Sequence, residues 1–143
     1  MRSVPPVLAA FVLAALTLVL AAPATPATPV VKATLKTGTP TPVVDESWRW
    51  TVTVKNRKGK PLRAKMKLQI LLGTLVVGCW KGKEITQCTG AKAGTWIAFR
   101  GKKTGTLTWP LASVGSKLTF QAIVVAGGKT LRLRAPVRVQ PKP

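Results

Sequence analysis

The stretch Ser47–Asn56, Ser-Trp-Arg-Trp-Thr-Val-Thr-Val-Lys-Asn, alternates without a break. Extended backbone sends successive side chains to opposite faces, so Trp48, Trp50, Val52 and Val54 share one side and Arg49, Thr51, Thr53 and Lys55 the other. A strand with two tryptophans on its dry face cannot stand alone. Burying those rings requires a second layer, which the rest of the chain has to supply.

Further alternating segments provide it. Residues 62–72 set Ala64, Met66, Leu68, Ile70 and Leu72 against Arg63, Lys65, Lys67 and Gln69. Lys117–Ala126 sets Leu118, Phe120, Ala122 and Val124 against Thr119, Gln121, Ile123 and Val125. Gly127-Gly128, a pair that admits primed hairpin turns, leads to a last strand with Leu131, Leu133, Ala135, Val137 and Val139 inward and Arg132, Arg134 and Arg138 outward. Shorter strands are expected at residues 31–36, 75–79, 95–99 and 106–109. The first carries lysines suited to a sheet edge, and Pro40 and Pro42 after it mark a kink or a switch between sheets, because proline cannot donate to a ladder. Residues 80–87 read as a hairpin tip or stapled loop, 89–94 as loop, and 100–105 as a basic turn. Seven or eight strands at short spacing, with no helical periodicity after the first residues and no longer repeat, predict an all-β antiparallel sandwich. A small closed barrel would satisfy the same pattern.

The N-terminus has a different character. Met1-Arg2 gives a positive start, residues 7–20 are apolar, and Ala22-Pro23-Ala24 fits a small-residue cleavage site, so residues 1–24 read as a secretory signal helix. An uncleaved membrane anchor is the alternative, disfavoured by the short run and by Pro5 and Pro6 before it. Thr25-Pro26-Ala27-Thr28-Pro29 makes residues 25–30 a Pro/Thr linker, leaving 31–140 as the domain and 141–143 as a polar tail. Export to an oxidising compartment favours a disulfide between Cys79 and Cys88. It would close a loop of about ten residues and contribute about 2.5 to 3 kcal/mol by chain entropy.

The residues Trp48-Arg49-Trp50-Thr51-Val52, then Gly59-Lys60-Pro61-Leu62, and later Trp109-Pro110, Gly115, Leu118-Thr119-Phe120-Gln121, Gly127-Gly128 and Pro136-Val137-Arg138-Val139 carry a family likeness. Over residues 30–139 the chain resembles small secreted bacterial proteins built from one immunoglobulin-like domain. The resemblance implies a two-layer sandwich and supplies no catalytic residues. The chain departs from antibody-type domains in having no tyrosine, hence no tyrosine corner, and in cysteines too close for a long inter-sheet bridge. Its disulfide would be a local staple.

Charge narrows the function. The sequence of 143 residues has 23 Lys+Arg, 3 Asp+Glu and no His, a net charge of +20. Without Arg2 in the signal, 22 minus 3 leaves +19. Without histidine, and with only Asp45, Glu46 and Glu84 as side-chain carboxylates, acid/base chemistry lacks its usual groups and no enzyme is expected. Asp45 and Glu46 would point opposite ways if extended, Ser47 and Ser113 have no base near them in sequence, and no metal site or cofactor is expected. A cationic surface attracts polyanions at long range, although charge also serves solubility alone.

If residues 62–72, 117–126 and 129–140 share a sheet, its outer face carries Arg63, Lys65, Lys67, Arg132 and Arg134 around Thr119, Gln121 and Ile123. That patch would bind an anionic cell-envelope polymer. The turns around Arg57, Lys58 and Lys60 and around Arg100, Lys102 and Lys103 add positive corners. The alternative is a protein-interaction module meeting another envelope protein through an edge strand or the stapled loop, with Trp80 as the contact unless it packs over the disulfide. Nucleic acid is disfavoured by export, and after signal cleavage a monomer without a membrane span is expected.

Overall fold

The computed structural model describes residues 30–143; the signal helix expected over 1–24 and the linker as far as residue 29 lie outside the described residues. Within them are nine strands: β1 (Val31–Thr37), β2 (Ser47–Asn56), β3 (Arg63–Leu72), β4 (Leu75–Lys81), β5 (Glu84–Gln87), β6 (Ile97–Arg100), β7 (Lys102–Thr108), β8 (Lys117–Ala126) and β9 (Lys129–Arg138). They form two separate antiparallel sheets, not one closed barrel. The smaller runs β1-β2-β7; the larger runs β5-β4-β3-β8-β9, with β6 also beside β3. β3 pairs with β8 along its length, while its other edge is shared, Arg63 to Met66 with β6 and Gln69 to Leu72 with β4.

One strand more than expected comes from the segment between the cysteines. Residues 80–87 are not merely a tip: Cys79, Trp80 and Lys81 pair with Thr86, Ile85 and Glu84, extending the large sheet by β5. The basic turn expected over 100–105 is also mostly strand. The chain bends only at Gly101, leaving β6 in the large sheet and entering β7 in the small one. Gly101 has φ of +72°, donates to Leu62 O (2.8 Å) and accepts from Val54 N (2.7 Å), so both its backbone groups are bonded at the crossing. A side chain there would be strained by that φ and would meet the Pro61 ring.

At Pro40 and Pro42 the chain leaves the small sheet for the end of β9 in the large one before returning to the small sheet in β2. After β1, the edge of the small sheet, Pro40 O and Pro42 O accept from the backbone N–H of Arg138 and Gln140, and Val44 N–H donates to Gln140 O. The segment lies parallel to the end of β9, with Val43 opposite Gln140. Proline serves here because only its carbonyl is required.

The core lies between the sheets and is aromatic at its centre. Trp48 and Trp50 of β2 point across to the large sheet, where Phe120 of β8 packs edge-on against Trp48 (5.2 Å between centroids, 78° between planes) and tilted against Trp50 (6.4 Å). Trp109 meets Trp48 edge-on at 5.3 Å, and Trp80 of β4 meets Trp50 at 5.4 Å. Around them Val52, Val54, Met66, Leu68, Ile70, Leu107, Ala122, Val124 and Val139 are buried. Trp48 Nε1 donates to Thr39 O (2.8 Å), whereas the buried Nε1 groups of Trp50 and Trp109 have no acceptor among the described residues.

Room for Trp50 is made by Gly105, its register partner on β7. A Cβ at Gly105 would run into the six-membered ring of the indole. Gly105→Ala is therefore expected to lower stability by about 1 to 3 kcal/mol through overpacking, read as a reduced urea midpoint with an unchanged m-value. Thr104→Ala, one residue away and outward-facing, should shift the midpoint far less.

Candidate functional site

The condition for the expected patch is met: β3, β8 and β9 are neighbours in the large sheet. On the face turned away from the core, the register aligns Lys67 with Ile123 and Arg132, and Gln69 with Gln121 and Arg134. Arg63 lies opposite Arg100 of β6, and Lys117 opposite Arg138. These strands thus carry Arg63, Lys65, Lys67, Arg100, Lys117, Arg132, Arg134 and Arg138 outward, with no carboxylate among their outward positions. The sheet's acid, Glu84, sits opposite Lys81 at the far end of the β4–β5 hairpin.

The patch is not a uniformly solvated face, however. The Cys79–Cys88 disulfide forms, with Cα atoms 5.8 Å apart, and Cys79 lies on the outward side opposite Gln69. It starts the loop of residues 88–96 on a course back over β3. Leu71, Val76 and Cys79 form a small second core with Cys88 and Ala93 beneath this loop. Gln69, only 1% exposed, donates from Nε2 to both Ala91 O (3.1 Å) and Ala93 O (2.7 Å). Lys67 Nζ donates to Lys92 O (2.7 Å). At the loop's end the Trp96 ring is shared by Lys65 and Lys67, each with Nζ 4.6 Å from its centroid.

Lys65 and Lys67 are therefore anchors for the loop, and the expected five-residue patch is divided. The sequence predicts a loop over 89–94 with a strand from Thr95, but the strand starts only at Ile97 and Trp96 belongs to the loop. The loop's course is not readable, because Gly, Ala, Lys and Thr in that stretch give no periodic signal. The one available hint was Gln69, a polar side chain inside an otherwise basic series.

The other part of the patch stays open. Gln121, 4% exposed, donates Nε2–H to Gln69 Oε1 (3.1 Å) and accepts from Arg134 Nε (2.8 Å). The bonds run in one direction, from Arg134 through Gln121 and Gln69 to the loop carbonyls. This fixes Arg134 by Nε and leaves its terminal N–H groups free of this chain of bonds. Arg132 is two residues away on the same face, about 7 Å along the strand. The two arginines, Gln69, Gln121, Thr119 and Thr74 line a recess of about 180 Å³. Among the described residues the one ion pair is remote and loose, Lys142 Nζ to Asp45 Oδ2 at 4.0 Å, so neither arginine meets a carboxylate.

The remaining residues singled out from sequence fall elsewhere. Trp80 is neither at a loop tip nor over the disulfide: it points into the core, packs edge-on to Trp50 and donates Nε1–H to Thr106 O (3.1 Å), tying β4 to β7. The face parity explains this, since Cys79 is outward and its neighbour must be inward. Asp45 and Glu46 are not in extended backbone; Asp45 has φ of 62° in the turn before β2. Among the described residues no group of three or more His, Cys, Asp or Glu is close enough to hold a metal ion.

No protein-family model matches this chain, and no curated protein does. Among solved structures it is similar to the CARDB domain of a Pyrococcus furiosus protein crystallised with di-metal ions, at 15% identity and a TM-score of 0.47, over 79% of this chain and 90% of that one. It is also similar to Spo0M, a sporulation control protein from Bacillus subtilis, at 14% identity and a TM-score of 0.42, over 79% of this chain and 49% of that one. Likeness at this level carries no residue role across, and the di-metal ions belong to the first of those proteins.

The loop's attachment can be tested by removing its central donor. Gln69→Leu deprives Ala91 O, Ala93 O and Gln121 Nε2 of partners together, with an expected loss of about 1 to 3 kcal/mol. Amide hydrogen exchange should quicken across residues 88–96, while protection in β2 and β8 is retained.

Proposed function

We propose that this chain is a secreted or cell-envelope binding domain of immunoglobulin-like architecture, non-enzymatic and monomeric, which holds an anionic polymer along the outer face of its large sheet. The observation that carries the reading is the pair Arg132 and Arg134, without carboxylate partners among the described residues, over a recess whose floor is made by buried glutamine amides.

Three physical points support it. A guanidinium held by its Nε alone keeps a fork of donors suited to carboxylate, sulfate or phosphate oxygens. Cations directly opposite each other on adjacent strands destabilise a sheet, yet this face has Arg63 against Arg100 and Lys117 against Arg138. A bound polyanion would turn both repulsions into shared attraction. The row from Lys117 and Arg138 through Arg134 and Arg132 also extends along β8 and β9, which suits a linear ligand better than a compact one. The disulfide is compatible with an oxidising, extra-cytoplasmic setting.

The test is salt-dependent retention on a dextran sulfate column. Arg132→Glu with Arg134→Glu should elute at clearly lower salt than wild type and reduce the log–log salt slope by about one unit for each ionic interaction removed. Arg57→Glu with Lys58→Glu makes the same change in net charge on the β2–β3 turn and should shift elution less. Equal shifts would show that total charge, not this face, governs binding. A native partner retained at salt that abolishes dextran sulfate binding would instead favour a protein contact through an edge strand or the stapled loop.

A further inference from the structure

We infer that the outer face of the small sheet is a second polyanion-binding face, so that one molecule bridges two acidic polysaccharide chains. This rests on the reading of the large-sheet face as the first binding surface. It adds a site and a behaviour that the first surface alone does not have.

The outward positions of the small sheet follow from its register. They are Lys32, Thr34 and Lys36 on β1, Ser47, Arg49, Thr51, Thr53 and Lys55 on β2, and Lys102, Thr104, Thr106 and Thr108 on β7. Each of these positions is Lys, Arg, Ser or Thr; none is acidic and none is apolar. A solubilising surface needs charge of either sign and commonly mixes the two. Here one sign is combined with a grid of hydroxyls spaced about 7 Å along the strands and about 5 Å between them.

The cations converge at one place. Thr51 lies between Lys36 on β1 and Thr104 on β7, with Arg49 two residues before it on β2. Its hydroxyl is hydrogen-bonded to that of Thr104 (3.1 Å). Lys36, Arg49, Lys102 and Thr51 line a recess of about 290 Å³ together with Thr37 and Gly38. Three positive heads around a hydroxyl provide charge and hydrogen bonding for a sulfate or carboxylate group. The neighbouring hydroxyl grid can exchange hydrogen bonds with a sugar ring. Lys32 opposite Lys55 repeats the unfavourable like-charge pairing seen on the other face.

The two faces are back to back. Packed sheets lie about 10 Å apart, and long side chains on both sides separate the cationic heads by about 20 Å or more. A polymer lying flat on one face does not reach the other. Two occupied faces therefore mean two strands, and many molecules on long chains mean a network.

Light scattering on titration with dextran sulfate tests this. Wild-type protein should give a scattering maximum near charge equivalence that dissolves in excess polymer, as each molecule is left on a single chain. The triple variant Lys36→Glu, Arg49→Glu, Lys102→Glu should still be retained on the polymer column but lose the maximum. Lys36→Gln, Arg49→Gln, Lys102→Gln should weaken it with a smaller perturbation of the fold. Arg57→Glu, Lys58→Glu, Lys60→Glu, with the same charge change as the first variant, should keep it. Bridging is overturned if wild type binds without scattering, or if the small-sheet and turn variants scatter alike. Failure of wild type to bind the column at all would overturn the large-sheet reading as well.

Discussion

The fold depends on aromatic contact across the two sheets. Phe120 reaches from the middle of the large sheet into the space between Trp48 and Trp50 of the small one, with Trp109 and Trp80 closing either side. Edge-to-face rings are bulky and directional, so this cluster sets how far apart the sheets sit and which residues may face it. Gly105 is one consequence, small because Trp50 lies over it. The buried indole N–H groups of Trp50 and Trp109 are another. Each missing hydrogen bond is a penalty of about 1 to 3 kcal/mol, set against the burial of two whole indole rings in contact with Trp48, Trp80 and Phe120.

The large sheet supports a second, smaller organisation on its other side. The disulfide, the Gln69 amide and the lysine–Trp96 contacts hold one loop against β3 and β4. The same glutamines then connect the loop to Arg134. The staple thus acts on the candidate binding face through a chain of side-chain bonds without linking the two sheets. Disulfide and arginine are coupled parts of one outer layer.

Much of this architecture was legible in period-two alternation. Inward and outward residues of Ser47–Asn56 and 117–139 fall as the alternation requires, and those of 62–72 do so as far as Ile70; there the register shifts, so that Leu72, expected inward, is 48% exposed and Leu71 is buried in the small second core. What alternation cannot express is a face covered by a loop. Gln69, Gln121 and Ile123 stand at outward positions yet are buried, because residues 88–96 and the long side chains around them exclude water. The β4–β5 hairpin was obscured for a related reason: Trp80-Lys81-Gly82-Lys83 reads as a turn with an exposed tryptophan until its register beside Cys79 fixes the ring inward. At the site, sequence alone placed Arg132 and Arg134 together, but the separation of Lys65 and Lys67 from them depends on contacts distant along the chain.

The crossing at Gly101 bears on how the molecule comes apart. β6 belongs to one layer and β7 to the other, and a single residue joins them, hydrogen-bonded on both sides. The layers cannot slide or open like the halves of a clasp without first breaking strand pairing at that corner. Gly101 is thus a corner at which the hydrogen-bonded edges of the two layers share one residue, and displacing either layer there breaks a bond to Leu62 or Val54.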